Sequence, residues 1–180
     1  MSAGRNSFTS TMDTRGLDAY LDQLGDSADK ALRPAAQAGA QVLYSKVKAN
    51  VGALGRRTGK LYGAIYQAYS ASNSNEHRAE YHVSWNAKKA PHGHLAEYGY
   101  LQRYRYRPDG MGPMVRPGMD GHRKPGRRAS QAEKNAYYVT LPSPIQVPAR
   151  YFVRGAASEF DKAYEAAEKE LLRRILEKKR

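Results

Sequence analysis

The chain has no cysteine, one tryptophan and three phenylalanines among its 180 residues. Without cysteine there are no disulfides, no thiol nucleophile and no thiolate-bound zinc, a composition compatible with a reducing cytosol. Acidic residues are scarce as well: 17 Asp and Glu stand against 30 Lys and Arg, giving a net charge of +13 and a pI near 9.9. A metal-dependent nuclease would need clustered carboxylates, whereas the acids here fall mainly in helical stretches. No window approaches the roughly 18 apolar residues of a membrane span. The first residues, Met1 to Ser7, lack the apolar core of a signal peptide. A soluble protein is expected.

What is abundant is basic charge and tyrosine, the latter at 14 residues. A charge of this size favours polyanions or an acidic protein partner and opposes self-association unless opposite charges meet locally. Tyrosine is enriched where one side of the ring is buried and the hydroxyl stays wet, as at protein interfaces. Basic charge with tyrosine also fits nucleic acid, whose bases stack on rings. An apolar share of 41% and a charged share of 26% indicate a folded chain with a real core.

Residues 1–14 are small and polar apart from Phe8 and Met12, and form an arm that orders by docking on something, such as a neighbouring subunit. Residues 13–24 read as a short helix, with Leu17, Tyr20, Leu21 and Leu24 on one face and Gly25 as its stop. A long helix follows over 27–51. Its stripe of Ala28, Leu32, Ala35, Ala36, Gly39, Val42, Leu43 and Val47 is small enough for close approach, and Pro34 belongs in its first turns. Gly55 and Gly59 then bracket Arg56-Arg57-Thr58. Glycine permits the sharp reversal, and Thr58 can cap the next turn. Residues 61–70 read as a helical turn and a strand. Alternation over 78–86 gives a second strand with Ala79, Tyr81, Val83 and Trp85 on one face, and the two form a hairpin.

From Leu101 to Asn135 the composition changes. Residues 102–134 hold nine Lys/Arg against three Asp/Glu, a net +6, with five Gly and four Pro. Such a stretch is expected to be a projecting loop or hairpin arm. Its start, Arg103-Tyr104-Arg105-Tyr106-Arg107, would make a strand with one basic and one aromatic face. Arg123, Lys124, Arg127 and Arg128 continue the basic run. Residues 136–141 are strand-like, and Pro142, Pro144 and Pro148 impose an extended crossing. Helical spacing returns at Phe152, Ala156, Phe160, Ala163, Ala167, Leu171 and Ile175, in a helix over about 154–177. Glu165–Lys169 and Glu170–Arg174 would pair on its outer side. The expected fold is α+β. An antiparallel sheet of four to five strands packs on a long N-terminal and a long C-terminal helix, in one domain over 15–180 with a basic arm inserted at 101–135.

Chemistry is not evident. His92 and His94 stand two apart on a Gly/Pro loop with no third ligand in view, so no metal site is expected. No nucleophile elbow occurs, and Gly59-Lys60 is followed by Leu61 rather than the Ser or Thr of a phosphate loop. No cofactor is expected.

Four motifs occur in order: Gly16-Leu17-Asp18-Ala19-Tyr20-Leu21, Arg57-Thr58-Gly59-Lys60-Leu61, Ala96-Glu97-Tyr98-Gly99 and Pro148-Ala149-Arg150-Tyr151-Phe152-Val153-Arg154. Together they resemble the tail-completion (neck) proteins of long-tailed bacteriophages, also described as head–tail connector or minor tail proteins. The likeness covers about residues 16–100 and 136–178. Ala96 stands where that family usually has an aromatic residue, and the 101–135 segment is longer and more basic than in its compact members. The resemblance implies a structural virion protein rather than an enzyme. It would form a ring, usually of six subunits, that caps the tail tube and joins it to the head connector or stopper. Genome DNA would cross the lumen, and assembly would take place in the host cytoplasm. Arg57, Thr58, Arg150 and Arg154 of the motifs, with the Arg/Tyr and basic positions at 103–107, 123, 124, 127 and 128, are the candidate subunit or partner interface. Arg57 or Arg150 is expected in an ion pair. The alternative is a nucleic-acid-binding protein acting through its basic, tyrosine-rich surface.

Overall fold

The computed structural model describes residues 15–55, 58–110 and 112–177, with side chains from Leu21 onward. The N-terminal arm, Arg57 and most of the Gly16–Leu21 motif's side chains lie outside the described residues. The elements are α1 (Arg15–Ala53), α2 (Lys60–Ala64), β1 (Ile65–Tyr69), β2 (Tyr81–Trp85), α3 (Gly93–Tyr98), β3 (Tyr100–Tyr104), α4 (Gln131–Tyr137), β4 (Thr140–Val147) and α5 (Phe160–Glu177). The chain divides into two compact units. One contains residues 1–49, 65–84 and 156–180; the other contains 50–64 and 85–155.

In the first unit, α1 is one continuous helix where two were expected. A lone glycine costs a helix only about 1 kcal/mol, and Gly25 faces open space with nothing within 4 Å to break the run. Ser27, the expected cap, instead donates from Oγ to the Gln23 carbonyl one turn earlier, at 2.8 Å. Pro34 therefore lies in the helix interior rather than in a first turn. The small-residue stripe does permit close approach. A Cβ on Gly39 would lie 2.8 Å from the Ala163 carbonyl oxygen and 3.4 Å from the Ala167 Cβ, so α1 and α5 are in near backbone contact there. Lys46 pairs with Glu159 at 3.6 Å nearby. Ala31, Ala35, Ala40, Val47 and Ala163 are buried.

A 3-10 stretch, Arg154–Glu159, precedes α5. Beyond it the expected stripe holds, with Ala167, Leu171 and Ile175 all partly buried. Ala156 and Ala163 stay buried, but Phe160, expected in the core, is 60% exposed. On the outer side Arg174 Nε reaches Glu170 at 2.8 Å as expected, and Arg173 claims the same carboxylate at 2.6 Å. No Glu165–Lys169 pair forms among the described residues.

The single sheet of four to five strands is not what forms. The strands make two separate two-stranded ladders, β1–β2 and β3–β4. In the first, Ser70 N–H donates to the Glu80 carbonyl at 2.9 Å, and Tyr69 packs on Tyr81 with ring centroids 5.5 Å apart. β3 does not extend this hairpin, because its backbone groups are taken up within the second unit. Tyr100, Leu101 and Gln102 pair with Val147, Gln146 and Ile145, then the register slips so that Tyr104 faces Thr140. The slip falls where β4 carries Pro142 and Pro144, which lack the N–H that a continuous ladder would use.

The 101–135 segment is tightly knitted rather than featureless. Arg105 N–H donates to the Val139 carbonyl, Val139 N–H to Met114, and Met114 N–H back to Arg105, at 2.9, 3.0 and 2.8 Å. The three strand ends thus close a ring of backbone hydrogen bonds. Gly110 and Gly112 turn the short hairpin between them at positive φ. Residues 136 and 137, read as strand, belong to α4. Ser130 and Glu133 form a capping box that opens this helix, a Ser-x-x-Glu signal that the strand reading overlooked.

Candidate functional site

The second unit is built around Glu97. It sits on α3, whose first residue, Gly93, touches the Trp85 ring so closely that a Cβ would meet Nε1 at 2.3 Å. At the other end Gly99, at φ +74, lets the chain turn into β3. A Cβ there would stand 2.6 Å from the Val147 carbonyl oxygen. The helix is thereby held at both ends, and Glu97 is left only 1% exposed. A carboxylate in such a place needs donors. Val153 N–H donates to Oε2 at 2.9 Å, Arg154 N–H to Oε1 at 3.1 Å, and Arg154 Nε lies 3.9 Å from Oε1. These two amides open the 3-10 stretch, so Glu97 caps the start of the C-terminal helical run from 57 residues upstream.

The Pro148–Arg154 motif supplies the other half of this joint. Arg150 N–H donates to the Ala96 carbonyl at 2.8 Å. Tyr151 adopts φ +45, a left-handed conformation that a tyrosine holds only when its surroundings fix it. Phe152 is fully buried against Trp85, ring centroids 5.4 Å apart, and its carbonyl accepts from Asn50 Nδ2 at 3.0 Å. Arg154 stacks over Tyr98 at 4.5 Å and Tyr151 at 5.6 Å. The ion pair expected of Arg150 forms within the chain at Arg154. Arg150 is exposed, and its contribution to the joint is its backbone N–H.

Of the Gly55–Leu61 stretch, residues 55 and 58–61 are described. Gly55 and Gly59 take positive φ, and Thr58 Oγ1 accepts from Lys60 N–H at a long 3.4 Å. With Val51, Leu54, Lys60, Leu61 and His92, this turn borders a cleft of about 510 Å³. His94 Nδ1 lies 2.6 Å from the Pro91 carbonyl. Among the described residues, no three His, Asp or Glu side chains converge as a metal site would require.

The Arg/Tyr strand has the two faces its alternation implied. Arg103, Arg105 and Arg107 are exposed, while Tyr104 and Tyr106 are half-buried. Tyr104 donates from its hydroxyl to Asn135 Oδ1 at 3.1 Å and accepts from Gln131 Nε2 at 2.6 Å. Its ring stands 5.3 Å from that of Tyr138, which in turn packs edge-on against Tyr137. Burial and the neighbouring Tyr100 hydroxyl push the Tyr106 phenol up to about 12. Arg123, Lys124, Arg127 and Arg128 are all exposed on the loop before α4, where the Arg127 carbonyl accepts from Lys134 Nζ at 3.1 Å. The structure thus gathers Arg103, Arg105 and Arg107 on one face and places Arg154 at the Glu97 joint. Glu97 itself was quoted in a motif but not counted among the site residues. The signal for it was an acid enclosed between an apolar helix turn and a glycine.

Comparison with known families gives a partial match. Residues 15–99 match a family model of phage tail components. That model is HK97-gp10-like, described as "Bacteriophage HK97-gp10, putative tail-component", and the match bears out the resemblance to phage tail and neck proteins over those residues. It ends at Gly99, so the basic segment and the C-terminal helix lie outside it. No curated protein and no solved structure matches the chain significantly. Over its first half the chain is similar to a structural component of the virion tail, and none of its helices is long and apolar enough to cross a membrane among the described residues.

Proposed function

We propose that this protein is a tail-completion protein of the phage neck. Its subunits form a ring, a hexamer in this reading, that caps the tail tube and joins it to the head connector or stopper, with genome DNA passing through the lumen. It acts as a structural part and not as an enzyme. The match of residues 15–99 to a phage tail component carries the reading. The Glu97 joint supports it, because a part that transmits load needs its segments fixed within the unit, as Glu97 fixes the amides of Val153 and Arg154. The candidate interface residues, Thr58, Arg103 to Arg107, the 123–128 basic positions, Arg150 and Arg154, are proposed as its contacts with neighbouring subunits or virion proteins. All are exposed except the half-buried Tyr104 and Tyr106.

The test is genetic and structural together. A phage lacking the gene should accumulate filled heads and free tails, and supplying the protein in trans should restore joined particles with a ring at the neck in cryo-electron microscopy. Normal infectious particles made without the protein would refute the proposal. A second reading, direct nucleic-acid binding, has one observation in its favour: the exposed arginine face of β3. It predicts duplex binding by the isolated protein that weakens steeply with salt.

A further inference from the structure

The first described turns of α1 present an exposed face with no ion-pair partner among the described residues. Leu21, Asp22, Gln23, Gly25 and Asp26 are exposed, and Leu21 keeps 52% of its surface open to solvent. Between Gly16 and Asp29 the chain has four aspartates and no Lys or Arg, in a protein whose net charge is +13. Asp22 and Asp26 are four apart, so they share one side of the helix, and Leu21 stands at its edge, about 100° round from Asp22. Asp29 is engaged by His77 at 3.0 Å. Among the described residues neither Asp22 nor Asp26 has an ion-pair partner.

The second unit carries a surface of the opposite character. The exposed side of β3 and the residue after it presents Leu101, 44% exposed, followed by Arg103 and Arg105 at alternate positions. Neither arginine has an acidic partner among the described residues. One surface therefore offers a leucine and two unpaired aspartates, the other a leucine and two unpaired arginines. Copies of a chain with this net charge repel one another unless opposite charges are set together at the contact.

We propose that the Leu21–Asp22–Asp26 face of α1 docks on the Leu101–Arg103–Arg105 face of β3 in a second copy of the chain. The two surfaces differ, so the contact is head-to-tail and each copy retains one free surface of each kind. Such contacts close into a ring when the rotation between copies permits and otherwise run on as a filament. This rests on the ring reading above and adds the surfaces through which the ring is made.

The test is self-association of the full chain by sedimentation velocity, at about 50 mM and about 500 mM salt, where screening differs strongly. Wild type should associate at low salt and loosen at high salt. D22K/D26K and R103E/R105E should each weaken association by at least about tenfold, since like charges then face each other. Mixed in equal amounts the two variants should associate again, because both their native and their reversed surfaces are complementary. Neutral variants, D22N/D26N and R103Q/R105Q, repeat the test should a reversal prevent folding. Wild-type-like association of the reversed variants, a mixture that stays apart, or a wild type that is monomeric at both salt concentrations overturns the proposed contact. So does loss of duplex DNA binding in R103E/R105E with association intact, which would assign the arginine face to nucleic acid. The neck role is judged separately by trans-complementation. A protein that restores particles while its variants associate normally loses only the interface.

Discussion

Glu97 and Arg154 are joined twice through one oxygen: the arginine's backbone N–H donates to Oε1 at 3.1 Å, and its Nε lies 3.9 Å from the same atom. The carboxylate is 1% exposed, whereas the guanidinium remains largely in solvent over two tyrosine rings. The backbone bonds are therefore the stronger half of the contact, because water screens the arginine head. Glu97→Ala removes the acceptor from two amides at once. At about 1–3 kcal/mol for each stranded donor, it should lower stability by about 3 kcal/mol in urea denaturation. Glu97→Gln, which keeps one oxygen, should cost about half as much. A loss below about 0.5 kcal/mol for the alanine variant would show that the joint does not depend on this carboxylate.

Two glycines of α1 should respond to alanine with opposite signs. Gly25 faces open space, so Gly25→Ala should raise the melting temperature through a helix-propensity gain of about 1 kcal/mol. Gly39 lies against the Ala163 carbonyl, and its added methyl must push α5 away. The strain, about 1–3 kcal/mol, exceeds the propensity gain, so Gly39→Ala should lower it. Stabilisation by both variants would mean that the two helices are not closely packed at Gly39.

Tyr106 should ionise late. Burial first and the Tyr100 hydroxyl second hold its phenol at about 12, above the ordinary 10. The neutral ring is the form favoured in the fold. Its contribution is therefore complete below about pH 10 and is lost as pH rises through about 12. An ultraviolet tyrosinate titration should show a late step that Tyr106→Phe removes. Complete ionisation by about pH 10.5, before any unfolding, would contradict this.

The helix α4 depends on a reciprocal cap. Ser130 Oγ accepts from Glu133 N–H at 3.2 Å, and Glu133 Oε2 accepts from Ser130 N–H at 2.6 Å. The Ser130 hydrogen bonds hold the Glu133 carboxyl below its ordinary range. Their stabilisation is present above the ordinary carboxylate pKa and fades as pH falls through the lowered one. Ser130→Ala should cost about 1 kcal/mol, and amide exchange in α4 should quicken selectively. Unchanged exchange there would rule out a capping role.

The two long helices and the first hairpin were legible because their spacing is strong and local. Val47 and Ala163 mark the buried stripes, and Tyr81 to Trp85 form the strand that their alternation in sequence implied. The candidate site was legible in its parts: the arginines of 103–107 face outward, and the four motifs occur in order. The misreadings were decisions between competing local rules. Gly25 and Ser27 looked like a stop and a cap, but the serine bonded back into the helix it was expected to start. Phe160 kept its place in the sequence period but is exposed at the junction where the 3-10 stretch passes into α5, while Ala163, Ala167 and Ile175 beyond it keep the stripe. Strand pairing was the least legible. Nothing local in β3 tells it to choose β4 over the first hairpin, and that choice follows from the bonds at Arg105, Met114 and Val139.

Those three residues have a bearing on how the chain can change. The excursion that leaves after Met114 returns at Val139, and Arg116 N–H on the Tyr137 carbonyl closes it a second time at 2.9 Å. Residues 117–129 lie inside that closure and end at the cap of α4, so their length can change while Arg116 and Tyr137 stay paired. Lengthening a loop already closed at its base costs little, about 0.6 kcal/mol for each doubling. This part of the chain, beyond the residues that match the tail-component model, is thus one that its architecture leaves free to vary. Insertions, deletions and shifts of charge can accumulate there while the Glu97 joint stays as it is.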